Sequence, residues 1–310
     1  MKSIYLSQIN NYVASMIEDE FYVLSLSKST TTDSGIPYCT LTLADKTGSI
    51  NARVWDQHMQ QISENILHTV VRVQAEVFAN NDGSVELVIS RINETECHHM
   101  EDFINTLDEQ LKNKYYDALQ KMGEQVSNSA YKQLLSNLID KNECYIKDSP
   151  LSIHEPGNYN GAVLVQIVSV TSIAIQIYRS HKSLSYPFNC KGIDINADLI
   201  IIGSILATIG DINHYSAFPC STPNESASLI TNELQSIQLL EECLKEEPII
   251  LSSVEKNHLY NIIHTVLNKA AIPTLREAAI IRSAYEIFKT LISMDSKYYK
   301  TQKYIAPDSK

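Results

Sequence analysis

Apolar and polar positions alternate along residues 21–55, FYVLSLSKSTTTDSGIPYCTLTLADKTGSINARVW, and the alternation predicts three β-strands joined by two turns. The first strand covers 21–28 and is followed by a polar loop over 29–35. The second covers 36–44, with Cys39, Leu41 and Leu43 facing one way and Tyr38, Thr40 and Thr42 the other. Asp45-Lys46-Thr47-Gly48 makes a tight turn, and the third strand points Ile50, Ala52 and Val54 inward and Asn51, Arg53 and Trp55 outward. A short helix is expected over 57–65. A fourth strand over 69–78 turns Val71, Val73, Ala75 and Val77 inward; a hairpin turn at 80–83 leads to a fifth over 84–92, with Val85, Leu87 and Ile89 inward. Ahead of these strands, Ile9, Val13, Met16 and Ile17 stand at helical spacing and predict a short helix in a lead-in over 1–20.

Past a polar hinge at 94–100 the apolar period becomes helical. Helices are expected over 100–122, 127–141 with Ser129 as the cap, 160–181, 196–209, 226–245, 253–270 and 274–294, ahead of a polar tail expected to be mobile at its end. At 310 residues two domains are natural: a five-stranded β-barrel over 1–95 and an all-α region over 96–310, an α+β multidomain chain.

The outward face of the second and third strands carries Tyr38, Thr40, Thr42, Asn51, Arg53 and Trp55. An aromatic, a guanidinium and hydroxyls on a solvated sheet suit stacked bases and phosphates. Equally open on composition is a plainer assignment, in which Trp55 covers a sheet edge and Arg53 is simply solvated. Tyr38, Trp55 and Phe78 are the candidate stacking residues; Lys28, Arg53 and Arg72, with Lys46 behind them, are the candidate phosphate contacts.

Charge narrows the picture. The net charge is −11, and residues 1–95 hold six Lys and Arg against eleven Asp and Glu. That excludes a protein that coats nucleic acid through bulk electrostatics; binding must use a local groove and be salt-sensitive. Six scattered cysteines, none in a CxxC pair, fit neither a zinc site nor a disulfide framework. The N-terminal run has no apolar signal core, and the longest apolar candidate, 199–209, is too short for a membrane span, so a cytoplasmic protein is expected.

The run through Lys28, Ser29, Gly35, Pro37, Tyr38, Thr40, Leu41, Leu43, Asp45, Lys46, Thr47, Gly48, Ile50, Ala52, Arg53 and Trp55 resembles the OB-fold that opens the YhaM-type 3′-to-5′ exoribonucleases. Five strands with a helix between the third and fourth match that fold. The resemblance continues at lower identity into the family's helical HD domain, a metal-dependent phosphohydrolase fold, and implies metal ligands at set places. Here the first-helix His falls on Val165 or Gln166, the His-Asp doublet on Ala207 and Thr208, the following Lys on Asp211, the His-His pair near Lys269 and Ala270, and the late acidic places on Tyr285 and Phe288. Alanine has no donor atom and threonine is a poor neutral ligand, so no catalytic residues, metal or cofactor are assigned.

Of the remaining histidines, only Asp211 and His214 pair at a ligand-like spacing, and local hydrogen bonds are the preferred account of both. His154 with Glu155, His258 with His264, and the hinge pair His98-His99 are weaker still. No Walker loop, GxGxxG, GxSxG or HExxH occurs. The leading expectation is a catalytically inactive YhaM-like protein. It binds single-stranded RNA or DNA through the barrel, uses the helical domain for a protein partner or a homo-oligomer, and makes no membrane contact. Two alternatives stand beside it: a divergent manganese- or magnesium-dependent exonuclease with ligands moved to Asp211, His214 and His264, and a structural subunit that binds no nucleic acid.

Overall fold

The computed structural model describes residues 2–27, 30–31, 35–59, 62, 64–80, 82–96, 99–153, 156–183, 194–216, 222–225, 229–246 and 249–304. Lys28, Cys97, His98, His154, Glu155, Cys190 and Cys220 lie outside the described residues. The chain divides into two compact units, the first spanning Met1–Asn105 and the second most of the remainder.

The first unit is a closed barrel. Its strands are β1 (Met16–Leu26), the two-residue β2 (Thr30–Thr31), β3 (Pro37–Asp45), β4 (Gly48–Trp55), β5 (Val70–Ala79) and β6 (Val85–Glu94). They run in the order β1-β5-β6-β4-β3-β2, and β1 pairs back onto β3, which closes the five long strands on themselves. The β4–β6 pair is parallel; the others are antiparallel. One turn of helix, α1 (Asp56–Met59), and a 3-10 turn at Glu64–Ile66 stand between β4 and β5. This is the five-stranded OB-fold topology. The alternation drives it: Cys39, Leu41, Leu43, Ile50, Ala52, Val54, Val71, Val73, Ala75, Val77, Leu87 and Ile89 fill one core.

Several elements differ from expectation, each for a local reason. The lead-in forms only a 3-10 turn, Leu6–Tyr12; Ala14 takes a positive φ of 60°, and β1 begins at Met16, so Ile17 is a buried strand residue while Val13 and Met16 are exposed. The loop over 29–35 contributes β2, in register with Tyr38 and Pro37. The expected helix over 100–122 is interrupted. Met100–Asp102 is a 3-10 turn, Phe103 packs with Tyr22 and Val70 in the barrel unit, and α2 (Glu109–Glu124) starts afresh at Asp108, whose carboxylate accepts from the N–H groups of Gln110 and Leu111. The barrel unit therefore runs on to Asn105, past residue 95.

The turn after β3 is anchored in the barrel wall. Asp45 is fully buried and accepts from Leu6 N at 2.8 Å, Thr47 N at 2.7 Å and Thr47 Oγ1 at 2.5 Å. Lys2 reaches its other side, with Nζ 3.6 Å from Asp45 Oδ2 and 3.8 Å from the Phe21 ring centroid. Burial pulls the Lys2 ammonium below the usual lysine range, against the neighbouring carboxylates of Asp19, Asp45 and Asp102.

The second unit is helical: α2, α3 (Ser129–Lys141), α4 (Glu143–Asp148), α5 (Ala162–Ser183), α6 (Ala197–Ile209), α7 (Asn232–Glu246), α8 (Ser253–Leu267) and α9 (Arg276–Tyr304). The cap of α3 is Asn128, not Ser129, and α4 was not expected at all. No Gly or Pro interrupts 295–304, so α9 runs on to Tyr304 where a polar tail was expected. Helix α6 is buried from Leu199 to Ile209 on every side. Around it pack α5, α7, α8 and α9. Helix α5 also corrects the expectation that no apolar run is long enough for a membrane: Ala162–Lys182 meets that length and composition, though half of its apolar window is buried inside the fold. Its small polar residues, Gln166, Ser169, Thr171 and Ser172, disguised its overall hydropathy.

Burial pushes the hydroxyls of Tyr116 and Tyr131 up to about 12 from an ordinary 10.0. A phenol held protonated by the fold contributes its full stability below the unfolded value and loses it as pH rises from 10 towards 12. The urea midpoint followed by far-UV circular dichroism is therefore expected to fall between about pH 8 and about pH 11, and to fall less in Tyr131→Phe. Equal falls in the two proteins would show that Tyr131 carries none of it.

Candidate nucleic-acid interface

The β3–β4 register sets the outer face. Tyr38 stands opposite Trp55, Thr40 opposite Arg53, and Thr42 opposite Asn51. Because side chains alternate across a strand, all six share the side away from the core. The rings of Tyr38 and Trp55 are 5.5 Å apart at 52°. The Arg53 guanidinium packs beside both, its Cζ 5.2 Å from the Tyr38 ring and 5.4 Å from the Trp55 ring, so the three groups form a near-equilateral cluster. Glu86 on β6 fixes it from the far side, with Arg53 Nη2 3.1 Å from Glu86 Oε2. Tyr38, Arg53 and Trp55 are half-buried, and Trp55 packs against both of the others.

Phe78 joins this face at one remove. It pairs with Glu86 across β5–β6 and is 49% exposed, so an apolar ring stands in solvent beside the Arg53–Glu86 pair. Arg72 is kept apart from this cluster. It lies further along β5, opposite Glu20 and Asn93, and its Nη2 is 2.9 Å from Glu20 Oε1. Lys46 pairs with Asp102 at 3.4 Å and sits over the Tyr5 ring.

Two residues on β6 escaped the sequence reading. One is Glu86, which holds Arg53. The other is Arg91, turned outward by a bulge: Gln74 pairs with Arg91 but Ala75 with Ile89, leaving Ser90 as the extra residue. The signal was there, since Ile92 breaks the phase of Leu87 and Ile89 and is itself buried.

In the helical unit the places where the resemblance implied metal ligands hold other groups. Ala207 is buried, and the Thr208 hydroxyl donates to the carbonyls of Ser204 at 2.8 Å and Ile205 at 3.2 Å, an ordinary helix back-bond. The Asp211 carboxylate accepts from Gln166 Nε2 and Asn232 Nδ2. Its burial pushes it above the usual carboxylate range. His214 Nε2 is 2.5 Å from Gln235 Oε1, and His264 Nδ1 is 2.6 Å from Glu233 Oε1. Each is thus engaged by its own partner. Among the described residues, no three His, Cys, Asp or Glu side chains converge as a metal-holding group. Lys269, Tyr285, Lys289 and Asn232 line an open cleft of about 560 Å³.

No protein-family model matches the chain. Among solved structures, it is similar to the second OB-fold domain of replication protein A from Methanococcus maripaludis, at 20% identity over 28% of this chain and 87% of that one, with a TM-score of 0.23. It is also similar to the SSB domain of a protein from Synechococcus sp., at 13% identity over 26% of this chain and 93% of that one, TM-score 0.22. A third is the protein priB from Ralstonia solanacearum, at 14% identity over 26% and 97%, TM-score 0.22. At such scores these likenesses carry no weight for function. The first unit is an OB-fold barrel on its own strand pairing, and the second is helical.

Proposed function

We propose that the protein binds single-stranded nucleic acid on the β3–β4 face of the barrel, and that its helical unit does not cut the bound strand but serves protein partners or self-assembly. The observation that carries the reading is the cluster of Tyr38, Trp55 and Arg53, each packed against the other two, on an outward sheet face. Flat aromatic surfaces and a guanidinium accept any base and a phosphate without needing a sequence code. A barrel alone is no argument, because one fold hosts many functions. The acidic net charge makes the binding modest and strongly salt-dependent. The absence of catalysis rests on the resemblance together with the local bonding of Thr208, Asp211, His214 and His264.

The chain's single tryptophan lies in the proposed site, so its own emission reports the event. Titration with short single-stranded oligonucleotides at low salt is expected to quench Trp55 saturably and to leave the oligonucleotide intact in manganese or magnesium. No change in emission, or in the anisotropy of a labelled oligonucleotide, sinks the binding reading. Trimming that a chelator stops sinks the non-catalytic one.

A further inference from the structure

We infer that the bound strand continues from the Tyr38–Trp55 pair over Ser90 into a second cleft on the barrel, where Arg91 holds a backbone phosphate; this rests on the single-strand reading above. The parallel register leads there. Arg53 pairs with Val88 and Val54 with Ile89, so the parallel ladder ends one residue before Trp55 on β4 and Ser90 on β6. Beyond Ser90 an open cleft of about 810 Å³ is lined by His58, Gln74, Arg91, Asn93 and Glu94 as well as Ser90. The bulge builds it. Ser90 Oγ donates to the Gln74 carbonyl at 3.1 Å, and the shifted phase turns Arg91 and Asn93 out while Ile92 goes in. Helix α1, directly after Trp55, brings His58 to the same rim.

Charge singles out Arg91. Of the lysines and arginines in residues 1–95, Lys2, Lys46, Arg53 and Arg72 each lie within 4.0 Å of a carboxylate. Among the described residues of the barrel, Arg91 is the cation with no such partner, and it is exposed. Among the described residues that line the cleft, Glu94 is the one acid. In a chain this acidic, an arginine left without a carboxylate beside amide and hydroxyl groups is a receptor for an anion. Its place at the end of the stacking face makes the phosphate of a passing strand the anion within reach.

The test uses fluorescein-labelled thymidine oligonucleotides with the full chain, read by anisotropy at two salt concentrations. Site sizes of OB-folds run from about 4 to about 16 nucleotides, so one oligonucleotide is taken from each end of that range. Arg91→Ala is expected to weaken the long one roughly three- to tenfold and to flatten its salt slope by about 0.7, one phosphate on a single strand, while the short one binds as to wild type. Unaltered long-oligonucleotide binding by Arg91→Ala and Arg91→Glu overturns the path, and so does equal weakening of long and short. If Trp55→Ala loses binding while both Arg91 variants keep it, the β3–β4 site stands and the extension falls. If wild type binds neither length, both fall.

Discussion

Asp45→Ala is expected to destabilise the barrel by about 3–5 kcal/mol, the cost of leaving a buried charge without its partner. The loss is larger than that of an ordinary turn residue because Asp45 has three jobs. Its Oδ1 closes the turn by accepting from Thr47 N and Oγ1, its Oδ2 accepts from Leu6 N, and Lys2 sits 3.6 Å away with no exposed side-chain surface. Removing the carboxylate takes away the ion-pair partner of the buried Lys2 ammonium, which keeps its hydrogen bond to the Glu20 carbonyl, and leaves the Leu6 amide without an acceptor. The reverse change, Lys2→Met, also leaves a buried charge without its ion-pair partner, but is expected to cost less than Asp45→Ala, since Asp45 keeps its three hydrogen bonds and the methionine fills the same apolar space. Urea unfolding followed by Trp55 emission reads the barrel alone. The order of the two variants decides: if Lys2→Met is as damaging as Asp45→Ala, the ion pair and not the turn holds the N-terminus down.

Asp45 also shows what a sequence makes visible. Asp-Lys-Thr-Gly is legible as a turn because every group that shapes the turn lies within it. Its anchoring role is not, because Leu6 and Lys2 are distant in sequence and nothing in LSQINNY announces them. The same division runs through the chain. Strands β3 and β4 were legible because alternation is a local property, and with them the shared face of Tyr38, Arg53 and Trp55. The partner of Arg53 comes from β6 through the barrel's parallel pairing, which no local pattern encodes. The cap of α3 falls one residue before its expected place, because Asn128 accepts from the N–H groups of both Ala130 and Tyr131. The interruption before α2 needed Phe103, whose apolar character suits a helix as well as a barrel cap, so only its packing against Tyr22 and Val70 settles which it serves.

Trp55→Ala and Tyr38→Ala are each expected to weaken single-strand binding by about 1–3 kcal/mol, the usual worth of an aromatic platform under a base. The two losses are not expected to add. The rings touch each other and both touch Arg53, so removing either frees the guanidinium from one side and spoils the platform that remains. Side chains in such contact couple by about 0.5–3 kcal/mol, and the double variant is expected to lose less than the sum. Arg53→Lys separates stacking from charge. It keeps the positive charge opposite Glu86 but loses the planar group that packs against both rings, so it is expected to behave like Arg53→Ala in affinity and like wild type in salt slope. Anisotropy with a labelled oligonucleotide reads all five variants, including those without the tryptophan. Should Arg53→Lys bind as wild type, the guanidinium acts only as a charge and the stack is packing. Should Tyr38→Ala and Trp55→Ala add in full, the two rings hold separate bases and Arg53 does not couple them.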